Sequence, residues 1–290
     1  MDTIRSRKLK LSIMSENDIQ GLVALSKLVG WDYDTDEITT LMSSGKIFGH
    51  KDEFGQIVSS AAIIPYDTYL ASLGMVIVNH KYRGQGLGKE VTQACIDLVN
   101  KNTSIMLIAT PEGKPLYEKM GFKVVGYVHK LICNNYIPSE KVLLKNLTVD
   151  TLKESDLDKI VELDKDAFGD SRRKFLINRI KQSHQSLVLR DEFGCVLGFG
   201  LSILGPENLI IGPIVAPNLE ASCYLTNQLA LNHNGRLRID IPKEDEMFMN
   251  FLKERVFDKV GQPPIMIINS ETMPFRNNNL YGIAAQAFGW

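Results

Sequence analysis

The sequence predicts an α+β fold (mixed α/β) built twice in tandem, each copy a mixed central β-sheet flanked by helices, with residues 1–144 in the first copy and 145–290 in the second. Three observations carry this expectation. A chain of 290 residues is about two domains of ordinary length. Short segments recur at a single register. Within each half, apolar runs of strand length alternate with helical patterns, an order that builds a mixed sheet.

The repeat can be followed along the chain. Asp18-Ile19 with Leu22, Val23 and Leu25 returns as Asp156-Leu157 with Ile160, Val161 and Leu163, at an offset of 138 residues. This is the apolar face of one amphipathic helix read twice. Asp52-Glu53-Phe54-Gly55 returns as Asp191-Glu192-Phe193-Gly194, a hairpin turn closed by glycine. Leu73-Gly74 with Val76 returns as Ile211-Gly212 with Ile214, again at 138. These matches place the boundary near residues 143–147.

Residues 71–101 hold the most informative local pattern. The apolar run Leu73 to Val78 feeds the glycine-rich stretch Arg83-Gly84-Gln85-Gly86-Leu87-Gly88, and a helical pattern follows from Lys89. A strand entering a glycine turn that opens a helix aims backbone N–H groups and the positive end of a helix dipole at one point, which makes a phosphate cradle. A nucleotide-triphosphate loop needs four residues between its first glycine and a Gly-Lys pair, then a hydroxyl. Gly84 and Gly88 have three between them, and Glu90 follows Lys89. The dinucleotide fingerprint G-x-G-x-x-G also fails, because the glycines read G-x-G-x-G and no acidic residue ends a strand at the required distance.

What fits is Arg-x-x-Gly-x-Gly, with Arg83, Gly86 and Gly88 in the fixed places. This resembles the acetyl-CoA pyrophosphate loop of the GNAT N-acetyltransferase superfamily. Further on, the strand Ile105 to Thr110 is followed by Pro115-Leu116-Tyr117-Glu118-Lys119-Met120-Gly121-Phe122, similar to the second GNAT signature. The full layout resembles the bacterial tandem GNAT proteins of the YitH-like group, in which a working first domain precedes a degenerate second. At an offset of 138 the loop Arg83 to Gly88 falls on Ala221 to Thr226, which has no glycine, and aligning Met120-Gly121-Phe122 with Arg255-Val256-Phe257 places Leu252 opposite Tyr117.

The resemblance implies acetyl-CoA as co-substrate and direct attack of a primary amine, on a small molecule or an exposed amino group, in a ternary complex. It implies that the pantetheine arm pairs with the main chain of Val76, Ile77 and Val78 as an added strand. A backbone N–H at Val76 would hold the oxyanion. The pyrophosphate would lie on Arg83 through Lys89. Tyr117 would be the general acid, a phenol of pKa about 10 matched to a departing thiolate; its competing reading is a packing aromatic. The base stays open, because Ala71-Ser72-Leu73-Gly74 carries no carboxylate where many relatives have a glutamate. Asp67 and the cluster Asp32, Asp34, Asp36 and Glu37 are candidates for the proton route. Trp31, Asp32 and Tyr33 stand where the acceptor would bind, against the competing reading of a helix capped by Asp34 or Thr35. A non-catalytic acyl-CoA sensor or scaffold is the alternative function.

Composition excludes other classes. With 44% hydrophobic residues and a formal net charge of −1, the chain reads as a soluble globular protein without a bulk pull toward nucleic acid or anionic membrane. The segment Met1 to Lys10 is charged and lacks the apolar stretch of a signal peptide, so a cytoplasmic location is expected. Cys95, Cys133, Cys195 and Cys223 lack paired spacing, and the five histidines are scattered, so free thiols and no metal are expected. Monomer and homodimer both stay open.

Overall fold

The computed structural model describes residues 9–138, 146–242 and 245–288. The boundary expected at 144/145 lies outside the described residues. The first half runs β1 (Leu11–Ile13), α1 (Ile19–Leu28), α2 (Thr35–Ser44), β2 (Lys46–Lys51), β3 (Ile57–Pro65), β4 (Leu70–Val78), α3 (Leu87–Leu98), β5 (Ser104–Ile108), α4 (Lys114–Lys119), β6 (Lys123–Tyr127) and β7 (His129–Cys133). The second half follows with β8 (Leu147–Thr151), α5 (Leu157–Phe168), α6 (Arg173–Gln182), β9 (Gln185–Asp191), β10 (Val196–Leu204), β11 (Leu209–Val215), α7 (Leu219–Ala230) and β12 (Leu237–Ile241). It ends with α8 (Glu246–Glu254), β13 (Asp258–Gly261), β14 (Pro264–Ile268) and β15 (Leu280–Gly282).

The repeat holds at the level of single hydrogen bonds. Ahead of α1, Ser15 N donates to Asp18 Oδ2 at 2.9 Å, and ahead of α5, Lys153 N donates to Asp156 Oδ2 at 2.9 Å. In the two hairpins Gly55 N reaches Asp52 O and Gly194 N reaches Asp191 O, both at 3.0 Å. After α4 and α8, Phe122 N donates to Tyr117 O and Phe257 N to Leu252 O, both at 3.0 Å. Leu252 is therefore the structural counterpart of Tyr117.

The offset, 138 to 139 up to β11, changes most before α7. α3 starts at Leu87 and α7 at Leu219, an offset of 132, because β11 reaches α7 through Ala216-Pro217-Asn218 alone. Ala221 to Thr226 thus lie inside α7, and the phosphate-type loop is shortened away rather than replaced residue for residue. α3 itself begins two residues earlier than its apolar pattern, with Gly86 as its N-cap.

The sheets do not follow the sequence halves. The first has the order β1-β2-β3-β4-β5-β14-β6, and the second β13-β7-β12-β11-β10-β9-β8. Each half lends one strand to the other. β14 lies antiparallel between β5 and β6, with Ile265 opposite Ile108 and Gly126. β7 lies between β12 and β13, with Cys133 opposite Leu237 and Ile132 opposite Asp258. One apolar core runs from Leu22 and Ile38 through Phe168 and Phe175 to Phe288, so the halves share an interior.

Polar contacts lock this interface. The Asp170 carboxylate accepts from Tyr69 N at 3.0 Å and Leu70 N at 2.9 Å, fastening the β3–β4 turn to the α5–α6 loop. Fully buried Arg179 on α6 donates to Glu37 of α2 at 2.6 Å and to Ala284 O at 2.9 Å, and lies 4.7 Å from the Phe288 ring centroid. Arg179→Ala is expected to destabilise the protein by about 3–5 kcal/mol, because it leaves Glu37 charged and buried without its partner. Denaturant unfolding of the intact chain checks this.

Candidate active site

β4 and β5 run parallel only at their starts, where Leu70, Ala71 and Ser72 face Ser104, Ile105 and Met106. Beyond Ser72 the strands part. β5 pairs with β14 on its other side, whereas the edge of β4 facing it has no ladder partner among the described residues. A bulge sharpens the divergence. Its register against β3 shifts between Ser60 and Ala62, Met75 takes φ 52°, and Ser60 Oγ donates to Met75 O at 2.9 Å. Positive φ at a residue of this size is strained and persists only when held by its surroundings, and here a buried serine holds it next to Val76.

The apex of the notch is filled by the chain's own end. The turn Ala285 to Phe288 enters against Gly74, and a Cβ there would stand 1.8 Å from Ala287 O, so only glycine allows the approach. In the second half the same filling goes further. β15 pairs with the edge of β11 that faces β12, and Ile283 N donates to Asp240 O of β12 at 2.9 Å. The second notch is filled by protein backbone, whereas the first stays open from Met75 to Val78.

After β4 the chain makes one 3-10 turn, His80 to Tyr82, and then the glycine loop. Gly84 and Gly86 take φ 80° and 82°, the left-handed region that favours glycine. At the start of α3 the N–H groups of Leu87, Gly88 and Lys89 have no acceptor within the helix, and Gly88 lies beside the notch.

These elements enclose a cavity of about 800 Å³. Val76, Ile77, Val78, Arg83, Gly84 and Gly88 line it, as does Tyr117. Gln85 and Leu87 do not line it, and Gly86 and Lys89 border a separate shallow depression at the start of α3. Tyr117 is 6% exposed and packs edge-on against Phe122, ring centroids 5.8 Å apart. Burial pushes its phenol pKa upward, so it keeps its proton at neutral pH.

Trp31, Asp32 and Tyr33 line the opposite end, their two rings 5.6 Å apart. Asp34 also lines the cavity and caps α2, its Oδ1 accepting from Glu37 N at 2.8 Å. Asp67 stands elsewhere: it faces the second half, where its carboxylate accepts from Ser171 Oγ at 2.5 Å. It is not among the cavity residues. Sequence reasoning missed the far wall, formed by Lys130 on β7, Gln182 on α6, Ile203 to Pro206, Arg238 on β12 and Ala285 to Ala287. The usable signal was a charge inside an apolar strand, Arg238 within Leu237 to Ile241 and Lys130 within His129 to Cys133.

Comparison with known proteins agrees with this geometry. Models of the acetyltransferase (GNAT) domain match residues 32–132 and 160–282. A Bacillus subtilis (strain 168) protein described as uncharacterized N-acetyltransferase YitH is 36% identical over 95% of this chain and 97% of its own.

The chain belongs to the GNAT acetyltransferase family.

It is a tandem GNAT acyltransferase, and solved structures share its architecture. A putative acetyltransferase from Pyrococcus horikoshii superposes with a TM-score of 0.79 at 19% identity, covering 99% of this chain and 98% of that one. A tandem GNAT protein from the clavulanic acid biosynthesis pathway superposes with a TM-score of 0.66 at 12% identity, over 91% of this chain and 100% of its own. In this GNAT chain no helix among the described residues is long and apolar enough to cross a membrane. All four cysteines are free. Among the described residues no group of three or more His, Cys, Asp or Glu side chains is arranged to hold a metal ion.

Proposed function

We propose that the first notch binds acetyl-CoA and that the protein transfers its acetyl group to a primary amine by direct attack in a ternary complex. The observation that carries this reading is the open edge of β4 from Met75 to Val78, with Tyr117 on one side and the glycine loop at its end, all in one cavity. An exposed strand edge accepts an extended amide-bearing chain through main-chain hydrogen bonds. The pantetheine arm has two amides of this kind. The N–H groups at the start of α3 suit its pyrophosphate.

The chemistry divides among this chain's residues. A main-chain N–H at the Met75–Val76 bulge holds the carbonyl oxygen as charge develops there. Tyr117, protonated because it is buried, hands its proton to the departing thiolate. β4 carries no acidic side chain, so the amine loses its proton to solvent or toward Asp32 and Asp34 at the cavity's other end. The second notch takes no cofactor in this reading, since β15 already occupies it and the loop before α7 is too short for a cradle.

Gly86→Val tests the cofactor assignment. A β-branched residue at φ 82° is strained by about 1–3 kcal/mol. The exposed loop relieves the strain by moving, which dismantles the cradle and leaves the core intact. Acetyl-CoA affinity, measured by calorimetry, is expected to fall far more than the melting temperature, with one acetyl-CoA bound per wild-type chain. Unchanged affinity in a folded Gly86→Val protein, or two molecules bound per chain, would count against the assignment. Release of free thiol with an amine panel separates the enzyme from a sensor that binds without turnover.

A further inference from the structure

The acceptor end of the cavity sets two cations on one wall against acidic residues of the α1–α2 loop. β7 and β12 are antiparallel neighbours, with Lys130 opposite Asp240 and Ile132 opposite Arg238. Directly opposed residues share a sheet face, so Lys130, Asp240 and Arg238 stand on the same face, the two cations as diagonal neighbours. Both cations line the cavity.

The carboxylate beside them on the wall is already engaged, and Asp32 on the α1–α2 loop is the next acidic group to act on both cations. Asp240 Oδ2 lies 2.8 Å from a terminal nitrogen of Arg238, and Oδ1 accepts from Gln286 Nε2 at 2.8 Å. Arg238 is 11% exposed and its Nε is buried without a hydrogen-bond partner. Lys130 makes no ion pair among the described residues. Elsewhere in the cavity, Glu37 is neutralised by Arg179, and Asp34 caps α2. Asp240 has both oxygens engaged, Lys130 makes no ion pair among the described residues and Arg238 Nε has no acceptor, so this mostly buried wall keeps donor capacity that its own carboxylate does not fill. Burying it this way is costly unless something negative completes it. The acidic residues Asp32 and Asp34 stand in the same cavity on the α1–α2 loop, not on this wall.

We infer that the acceptor is an amine that also carries a carboxylate, an amino-acid-type zwitterion. Arg238 Nε and Lys130 hold its carboxylate, and Asp32 and Asp34 face its ammonium. Arg238 and Lys130 are specificity-determining residues of the second half acting on chemistry in the first. The inference rests on the proposed acetyl-transfer reading for the amine's fate, while carboxylate recognition is measurable without turnover.

The test titrates the full chain, with and without acetyl-CoA, against free α-, β- and γ-amino acids, their carboxamides and aminoalkyl phosphates, by calorimetry and Trp fluorescence. At least one carboxylate compound is expected to bind about 10- to 100-fold more tightly than its carboxamide, the scale of a hydrogen bond to a charged group. Arg238→Gln is expected to erase that preference. Arg238→Gln also strands Asp240, so Lys130→Met, on a half-buried strand position, provides a second variant expected to reduce the same preference. Equal binding of acids and amides, tighter binding of the phosphates, no binding of any acid at millimolar concentration, or a preference that survives both variants would overturn the inference. Carboxylate-selective binding without thiol release would instead overturn the acetyl-transfer reading and keep this one.

Discussion

Tyr117→Phe is expected to lower kcat by about 10²- to 10⁴-fold, the range for loss of a positioned general acid, with little change in acetyl-CoA affinity. The substitution keeps the ring against Phe122 and removes only the hydroxyl, so the fold has no reason to change. Because burial raises the phenol pKa, the wild-type enzyme should show no inflection from this group between pH 6 and pH 9. Any rise in rate over that window belongs to deprotonation of the amine. Steady-state kinetics at saturating substrates, with a single-turnover measurement to establish that chemistry limits the rate, decides the matter. Full kcat in Tyr117→Phe under those conditions assigns the proton to water or another group.

A chain ending at residue 144 is expected not to fold as an independent domain. It would lack β14, which fills the gap between β5 and β6, so Ile105 to Ile108 would lose one of their ladders. It would also expose the apolar face that Leu22 and Ile38 share with Phe168 and Phe175. At the same time β7 would lose both partners, β12 and β13. Circular dichroism and dye binding to exposed apolar surface should report a collapsed or unfolded chain without thiol release. A cooperative melting transition in the isolated segment, with wild-type amine preference, would contradict the shared-interior account.

What the sequence made legible was local. A glycine loop between a strand and a helix, a Gly-Phe turn after a short helix, and an Asp-x-x-Gly hairpin each depend on residues a few positions apart, so spacing alone reveals them. Asp34 followed the same logic, since an aspartate ahead of Glu37 is a cap wherever the chain folds into a helix there. Partner choice between strands is different. Ile265 to Ile268 and Leu131 to Cys133 read as ordinary buried strands, and nothing in an apolar run says which neighbour it will take.

The repeat hid its own exception in a similar way. A register of 138 to 139 holds through Gly212, and the six-residue shortening before α7 cannot be located from flanking similarity. Asp67 was drawn toward the site by its chemistry, but its neighbours Thr68 to Leu70 dock on Asp170, and that turns the whole β3–β4 corner toward the second half. Lys130 and Arg238 reach the cavity because β7 crosses into the second sheet, a fact of topology and not of spacing.

The strand exchange also sets a schedule for biosynthesis. β5 leaves the ribosome about 160 residues before β14, and at about 5–20 residues per second that is a delay of roughly 8–32 s. Through that interval the emerging first sheet offers an incomplete edge beside Ile105 to Ile108, the kind of surface that recruits chaperones or pairs with another nascent chain. A still later segment, β15 with the turn at Ala285 to Phe288, closes both notches at their apices. Assembly of the cavity therefore waits for residues 280–288, and a ribosome stalled before residue 280 would display a chain with most of its secondary structure and no finished binding site.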